Sequence, residues 1–148
     1  MTADRPQSDL PPSALDRALQ RVGDRWSLLV VAALLRGPGR FADLVAAVPG
    51  IATNVLSQRL KHLEAERLVL AVRYSRRPVR YAYELTEAGR SLAGTLRLLT
   101  QWSSDHGDAH GPIRPPAHDA CGTPLEATWW CPTCDERIDD EAGESRWL

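Results

Sequence analysis

Cysteine is scarce in this chain: three in 148 residues, Cys121, Cys131 and Cys134, all within the last 28. They cannot staple the main body, and an odd set gives no even disulfide framework. No stretch approaches the roughly 20 apolar residues that a membrane helix needs. The opening Met-Thr-Ala-Asp-Arg-Pro has no basic region followed by an apolar one, so the expected location is the cytoplasm. Internal repeats and low-complexity tracts are absent. His62 and His118 have no acid, base or nucleophile partner at motif spacing, which sets an enzyme aside.

Net charge is also nearly absent, at -1, but its distribution is uneven. Residues 1–16 carry one basic and three acidic side chains, residues 17–97 fourteen and six, and residues 98–148 three and ten. A basic middle followed by an acidic end points to a polyanionic partner for the middle. The length suits one domain with a small appendage, and the 43% hydrophobic content suffices for a core.

Hydrophobic spacing lays out the elements. A polar arm with three prolines covers 1–12, and a helix then starts at Ser13 with Leu15, Leu19 and Val22 on one side, capped by Ser13 or Asp16. Residues 26–35 form a second, almost wholly apolar helix ended by Gly37-Pro38-Gly39. A third runs from Arg40 to Val48, and a fourth from Ala52 or Thr53 to about Arg67. In the fourth, Leu56, Leu60 and Leu63 make an apolar stripe, while Asn54, Ser57, Gln58 and Lys61 share the opposite face. Residues 68–74 and 80–85 read as strands joined by Ser75-Arg76-Arg77-Pro78, with Arg73 and Arg80 at the base of the hairpin. Thr86 caps a long last helix, Glu87 to about Trp102, with a stripe of Leu92, Leu96, Leu99 and Trp102.

Four helices, a hairpin and a helix make an α+β fold of the winged helix-turn-helix kind, mostly helical with a two-stranded wing. The third helix, the Val48-Pro49-Gly50-Ile51 turn and the fourth helix form the helix-turn-helix. The expected division is arm 1–12, winged helix-turn-helix domain 13–103, linker 104–117 and tail 118–148. Amide, hydroxyl and cationic side chains can pair with base edges in the major groove. Asn54, Ser57, Gln58 and Lys61 are the base-edge candidates, Thr53 and Arg59 phosphate candidates. Arg76 and Arg77, backed by Arg73 and Arg80, would touch the phosphate backbone or probe the minor groove. The bland alternatives are a solvated polar helix face and a tip whose arginines serve solubility.

Residues 22–29 (Val-Gly-Asp-Arg-Trp-Ser-Leu-Leu), 34–44 and 48–64, followed by Pro78-Val79-Arg80-Tyr81-Ala82-Tyr83-Glu84-Leu85-Thr86-Glu87-Ala88-Gly89, closely resemble the HxlR family of bacterial winged-helix transcriptional regulators, relatives of the MarR type. The resemblance spans about residues 12–103. It implies a homodimer joined through the first and last helices, which makes Leu15, Leu19, Leu92, Leu96, Leu99 and Trp102 the dimerisation set. It also implies that each fourth helix meets half of a near-palindromic site on double-stranded DNA, with Thr53, Asn54, Ser57, Gln58 and Arg59 at the family's reading positions. Redox-sensing members use a cysteine near the first helix; this chain has none before Cys121, so that sensing is not expected here.

The expected function is a dimeric, sequence-specific regulator that represses by occupying an operator, with an unidentified small-molecule effector acting, if at all, near the dimer helices. The competing class is a protein-interaction adaptor using the winged helix and tail; burial of the fourth helix by the tail would favour it. In the tail, His118, Cys121, Cys131 and Cys134 have the spacing of a Cys3His knuckle, with one structural zinc as expected cofactor. The alternatives are unliganded side chains, or a Cys131/Cys134 dithiol, which lacks the strand-helix setting that stabilises a thiolate. Trp129 and Trp130 would pack the knuckle or dock it onto the body, or, if exposed, mark a contact surface, and the acidic run from Asp135 to Glu144 would face water, away from the wing.

Overall fold

The computed structural model describes residues 13–106 and 117–138. The expected arm, residues 107–116 of the expected linker and the acidic residues from Asp139 onward lie outside the described residues. α1 (Ala14–Val22) starts where Ser13 Oγ accepts the Asp16 N–H at 3.0 Å. α2 (Arg25–Leu34) starts on Asp24, whose Oδ1 accepts the N–H groups of Trp26 and Ser27 at 3.0 and 3.1 Å. Both caps satisfy N–H groups that a helix leaves unpaired at its first turn. Among the described residues no helix is long and apolar enough to cross a membrane.

A two-residue strand, β1 (Gly39–Arg40), leads into α3 (Phe41–Ala47). Val48 O then accepts the Ile51 N–H at 3.3 Å across Pro49 and Gly50, with Gly50 at φ +82°. This is the arrangement of a type II turn, where proline presets the second residue and glycine tolerates the positive φ of the third. It aims α4 (Thr53–Ala65) away from α3. Leu56, Leu60 and Leu63 of α4 are buried against Val30, Val31 and Leu34 of α2, with Leu44 and Val48 closing one end.

α4 ends two residues short of the expected Arg67, in a Schellman motif. The Leu68 N–H reaches Leu63 O at 2.9 Å and the Arg67 N–H reaches Glu64 O at 3.0 Å, while Arg67 takes φ +57°. Leu63 and Leu68 make the accompanying apolar contact, both buried. β2 (Val69–Arg76) and β3 (Val79–Leu85) form the wing, and their turn shrinks to Arg77 and Pro78. The sheet has three strands, not two, in the order β1-β3-β2: Gly39 pairs with Tyr83 and Arg40 with Ala82. Two residues are too few for a hydrophobic period to reveal β1.

The expected single last helix is two, α5 (Glu87–Ser91) and α6 (Ala93–His106). At the break the Leu92 N–H bonds Gly89 O at 3.3 Å, three residues back instead of four. Thr86 caps α5 by accepting the Gly89 N–H at 3.0 Å and donates to Arg67 O at 2.8 Å, tying α5 to the end of α4. Gly89 is obligatory there: a Cβ would stand 2.2 Å from Leu68 O. In the tail, β4 (Trp129–Cys131) pairs antiparallel with β5 (Glu136–Ile138), and no described tail residue is buried.

Candidate nucleic-acid interface

The polar face of α4 is open. Thr53, Asn54, Gln58 and Lys61 are exposed and Ser57 is half-buried. The Leu56/Leu60/Leu63 stripe anchors the opposite side in the core, so the helix cannot roll to hide these side chains. Arg59 differs from its neighbours. Its Nε is shut off from solvent and, without a well-directed hydrogen bond, rests 3.3 Å from Asp24 Oδ1, the carboxylate that caps α2. Arg59 therefore ties α4 to the start of α2 by charge, a half-exposed pair of modest energy.

The wing shows the reverse. Arg73, Arg76, Arg77 and Arg80 are all exposed, and none has a carboxylate within 4.0 Å among the described residues. On the body, by contrast, Arg21 Nε sits 2.6 Å from Glu66 Oε2. α4 and β2 pack against each other, so the open helix face and the unneutralised hairpin belong to one lobe. Sequence reasoning missed Arg40, whose guanidinium carbon lies 4.8 Å from the centroid of the Tyr74 ring. Its only local signal was its place just ahead of Phe41.

The dimerisation set divides. Leu15, Leu19, Leu99 and Trp102 are exposed, Trp102 at 64%, whereas Leu92 and Leu96 pack against the core. Leu98, not singled out from the sequence, is also exposed. α1 and α6 contain no buried residue, so both present apolar side chains that no described residue covers fully.

The metal expectation is overturned. Among the described residues no three His, Cys, Asp or Glu side chains gather where an ion could be held, so His118, Cys121, Cys131 and Cys134 form no Cys3His knuckle and no structural zinc site. Each pair stays in its own turn. His118 Nδ1 lies 3.3 Å from Cys121 Sγ, and the Cys121 thiol donates to Thr123 Oγ1 at 3.2 Å, inside a loop closed by the Ala117–Pro124 bridge. Cys131 and Cys134 occupy the turn between β4 and β5. The stretch that should fold one pair onto the other instead lies along α6, where residues 125–129 share a groove with Gly94, Arg97, Leu98 and Gln101. The described part of the tail accordingly lies beside α6, and the polar face of α4 stays exposed among the described residues. Within the hairpin, N–H groups of Cys134 and Thr133 pull the Cys131 thiol below its usual pKa, and Cys131 pushes that of Cys134 up.

Comparison with known proteins decides what this lobe is. The model of the HxlR-like helix-turn-helix family matches residues 21–111. The chain belongs to that family. As an HxlR-type protein it is a DNA-binding, helix-turn-helix transcriptional regulator, and its activity is binding, not catalysis. It is similar to Rv3095 of Mycobacterium tuberculosis, an uncharacterized HTH-type transcriptional regulator, at 36% identity over 126 residues, covering 84% of this chain and 79% of the relative. YvaP of Bacillus subtilis, another uncharacterized HTH-type regulator, is 37% identical over 67% of this chain and 91% of its own length. Among solved structures, the reduced form of the Bacillus subtilis regulator YodB superposes with a TM-score of 0.58 at 27% identity, covering 69% of this chain and all of YodB. PA1607 superposes with a TM-score of 0.77 at 26% identity, over 96% of each chain. The PA1607 likeness therefore takes in most of the tail as well as the winged body.

Proposed function

We propose that this HxlR-type regulator binds double-stranded DNA as a homodimer and represses by occupying an operator that polymerase must cross. The observation that carries the reading is the unneutralised wing: Arg73, Arg76, Arg77 and Arg80 stand exposed without carboxylate partners beside the open polar face of α4. A planar guanidinium offers paired donors that match phosphate oxygens, and leaving it without an internal partner keeps those donors available. Asn54, Ser57, Gln58 and Lys61 read base edges, with Thr53 and Arg59 near the backbone. Leu15, Leu19, Leu99 and Trp102 join the two copies, while Leu92 and Leu96 support that face from within. The binding work lies in residues 13–103, and the protein acts in the cytoplasm.

The test is selection of genomic fragments by the purified protein across a salt series, followed by sequencing. The expected result is a short inverted repeat whose affinity falls steeply as salt rises. Fragments without a shared motif, or no binding at low salt, overturn the reading. On the recovered sequence, Arg76→Ala should weaken every duplex alike and reduce the salt slope by about 0.9 for each phosphate that the side chain no longer neutralises. Gln58→Ala should cost about 1–3 kcal/mol on the preferred sequence and little on a scrambled one. Light scattering that shows only a monomer at working concentration overturns the dimer.

A further inference from the structure

Arg40 and the wing are brought together on one face of the sheet. Arg40 pairs directly with Ala82 of β3, so their side chains share a face, and Arg80, two residues back along β3, points to that side as well. On β2 the register slips. Arg73 pairs with Tyr81 and Ser75 with Arg80, so two residues of β2 are spanned by one step of β3 and Tyr74 is the extra residue of a bulge. Val72 pairs with Ala82, and Tyr74, two residues further along β2, lies on that same face. The small Ala82 leaves the space between open, and the Arg40 guanidinium settles over the Tyr74 ring at 4.8 Å.

Stacking holds a guanidinium by its face and leaves the N–H groups at its edge free. Arg40 is exposed and has no carboxylate within 4.0 Å among the described residues. The nearby Asp43 is occupied otherwise, its Oδ2 accepting the Arg40 backbone N–H at 2.9 Å. Arg40, Asp43, Tyr74, Val79 and Arg80 line a groove of about 470 Å³ between the start of α3 and the wing. We infer that Arg40 grips a backbone phosphate of the bound DNA from this groove, with Tyr74 as the positioning residue that orients it and Arg80 beside it. This rests on the DNA-binding reading and adds to it a contact on the α3 side of the wing, apart from the hairpin tip.

The experiment measures anisotropy of a fluorescein-labelled duplex, carrying the selected sequence, across a potassium chloride series. Arg40→Gln should weaken binding about tenfold on selected and scrambled duplexes alike and lower the salt slope by about 0.9 for each Arg40 in the complex. Arg40→Lys should keep the slope, since the charge remains. Tyr74→Phe should match the original protein because the ring is retained, whereas Tyr74→Ala should weaken binding about threefold with the slope unchanged, as expected of a residue that orients a phosphate-binding group without touching phosphate. Thermal melting of each variant separates weakened binding from a damaged fold, and the salt slope is a quantity that a merely structural residue does not move. An Arg40→Gln protein that is folded and keeps the full slope overturns this inference alone. Failure of the original protein to bind any duplex at low salt overturns the regulator reading, and the inference with it.

Discussion

The winged body and the tail hairpin differ first in what they bury. Among the described residues the twelve core hydrophobics lie between Val30 and Leu85, whereas Leu125, Trp129 and Trp130 in the tail remain 39–52% exposed. They differ also in charge: residues 13–106 carry fourteen basic and eight acidic side chains, residues 117–138 one and four. Apolar content alone therefore does not make a core. The body closes because three helices and a sheet cover one another, while an isolated two-stranded hairpin has only one inner face and is marginal by itself. Fixed side-chain geometry follows the core. The leucine stripe of α4 holds its polar face outward, but nothing comparable draws the two Cys-containing turns of the tail together.

The largest effect should come from the joint at which the body closes. In Gly89→Ala the new Cβ would meet Leu68 O at 2.2 Å and Leu85 Cδ2 at 3.0 Å, and the carbonyl cannot yield, because it accepts the Thr86 N–H at 3.0 Å. Overpacking against backbone should cost about 3 kcal/mol or more. Urea denaturation followed by far-ultraviolet circular dichroism measures it. A variant with the original midpoint would mean that α5 is not part of the cooperative body.

The body was legible wherever period and cap chemistry acted together. The Leu56/Leu60/Leu63 stripe, the Ser13 and Thr86 caps and the Pro49-Gly50 turn each follow from local rules that tertiary packing only reinforces. What escaped depends on neighbours distant in sequence. β1 exists because β3 offers an edge, Tyr74 meets Arg40 across β3, and Arg59 is claimed by Asp24, thirty-five residues earlier. The tail misled for a related reason. Spacing states that four ligands could converge, but convergence requires the intervening chain to fold back, and here that chain runs along α6.

A gain of stability should also be available in the body. Ser27 is fully buried in α2, and its hydroxyl has no hydrogen-bond partner among the described residues. Such a group keeps the cost of leaving water without the return of a bond. Ser27→Ala removes the oxygen and little volume, so the urea midpoint should rise by the equivalent of about 1 kcal/mol with the slope unchanged. A fall of that size would show that the hydroxyl has a partner in solution, such as an ordered water.

The smallest effect should come from the tail, and it tests the contrast most directly. Trp130 is 52% exposed on β4, paired across the hairpin with Arg137. The same residue type in the body's core would bring a loss of about 3–5 kcal/mol on truncation. Here the indole is half exposed in a hairpin that has no buried described residue, so Trp130→Ala should shift global stability by no more than about 0.5 kcal/mol, the range of ordinary surface changes. The urea midpoint decides, read at low protein concentration so that association does not contribute. A loss above about 1 kcal/mol would make the tail part of the same cooperative unit as the body, and the groove along α6 would then be a packing interface. A shift that grows with protein concentration would instead place Trp130 between two copies, because only interactions formed on association carry that dependence.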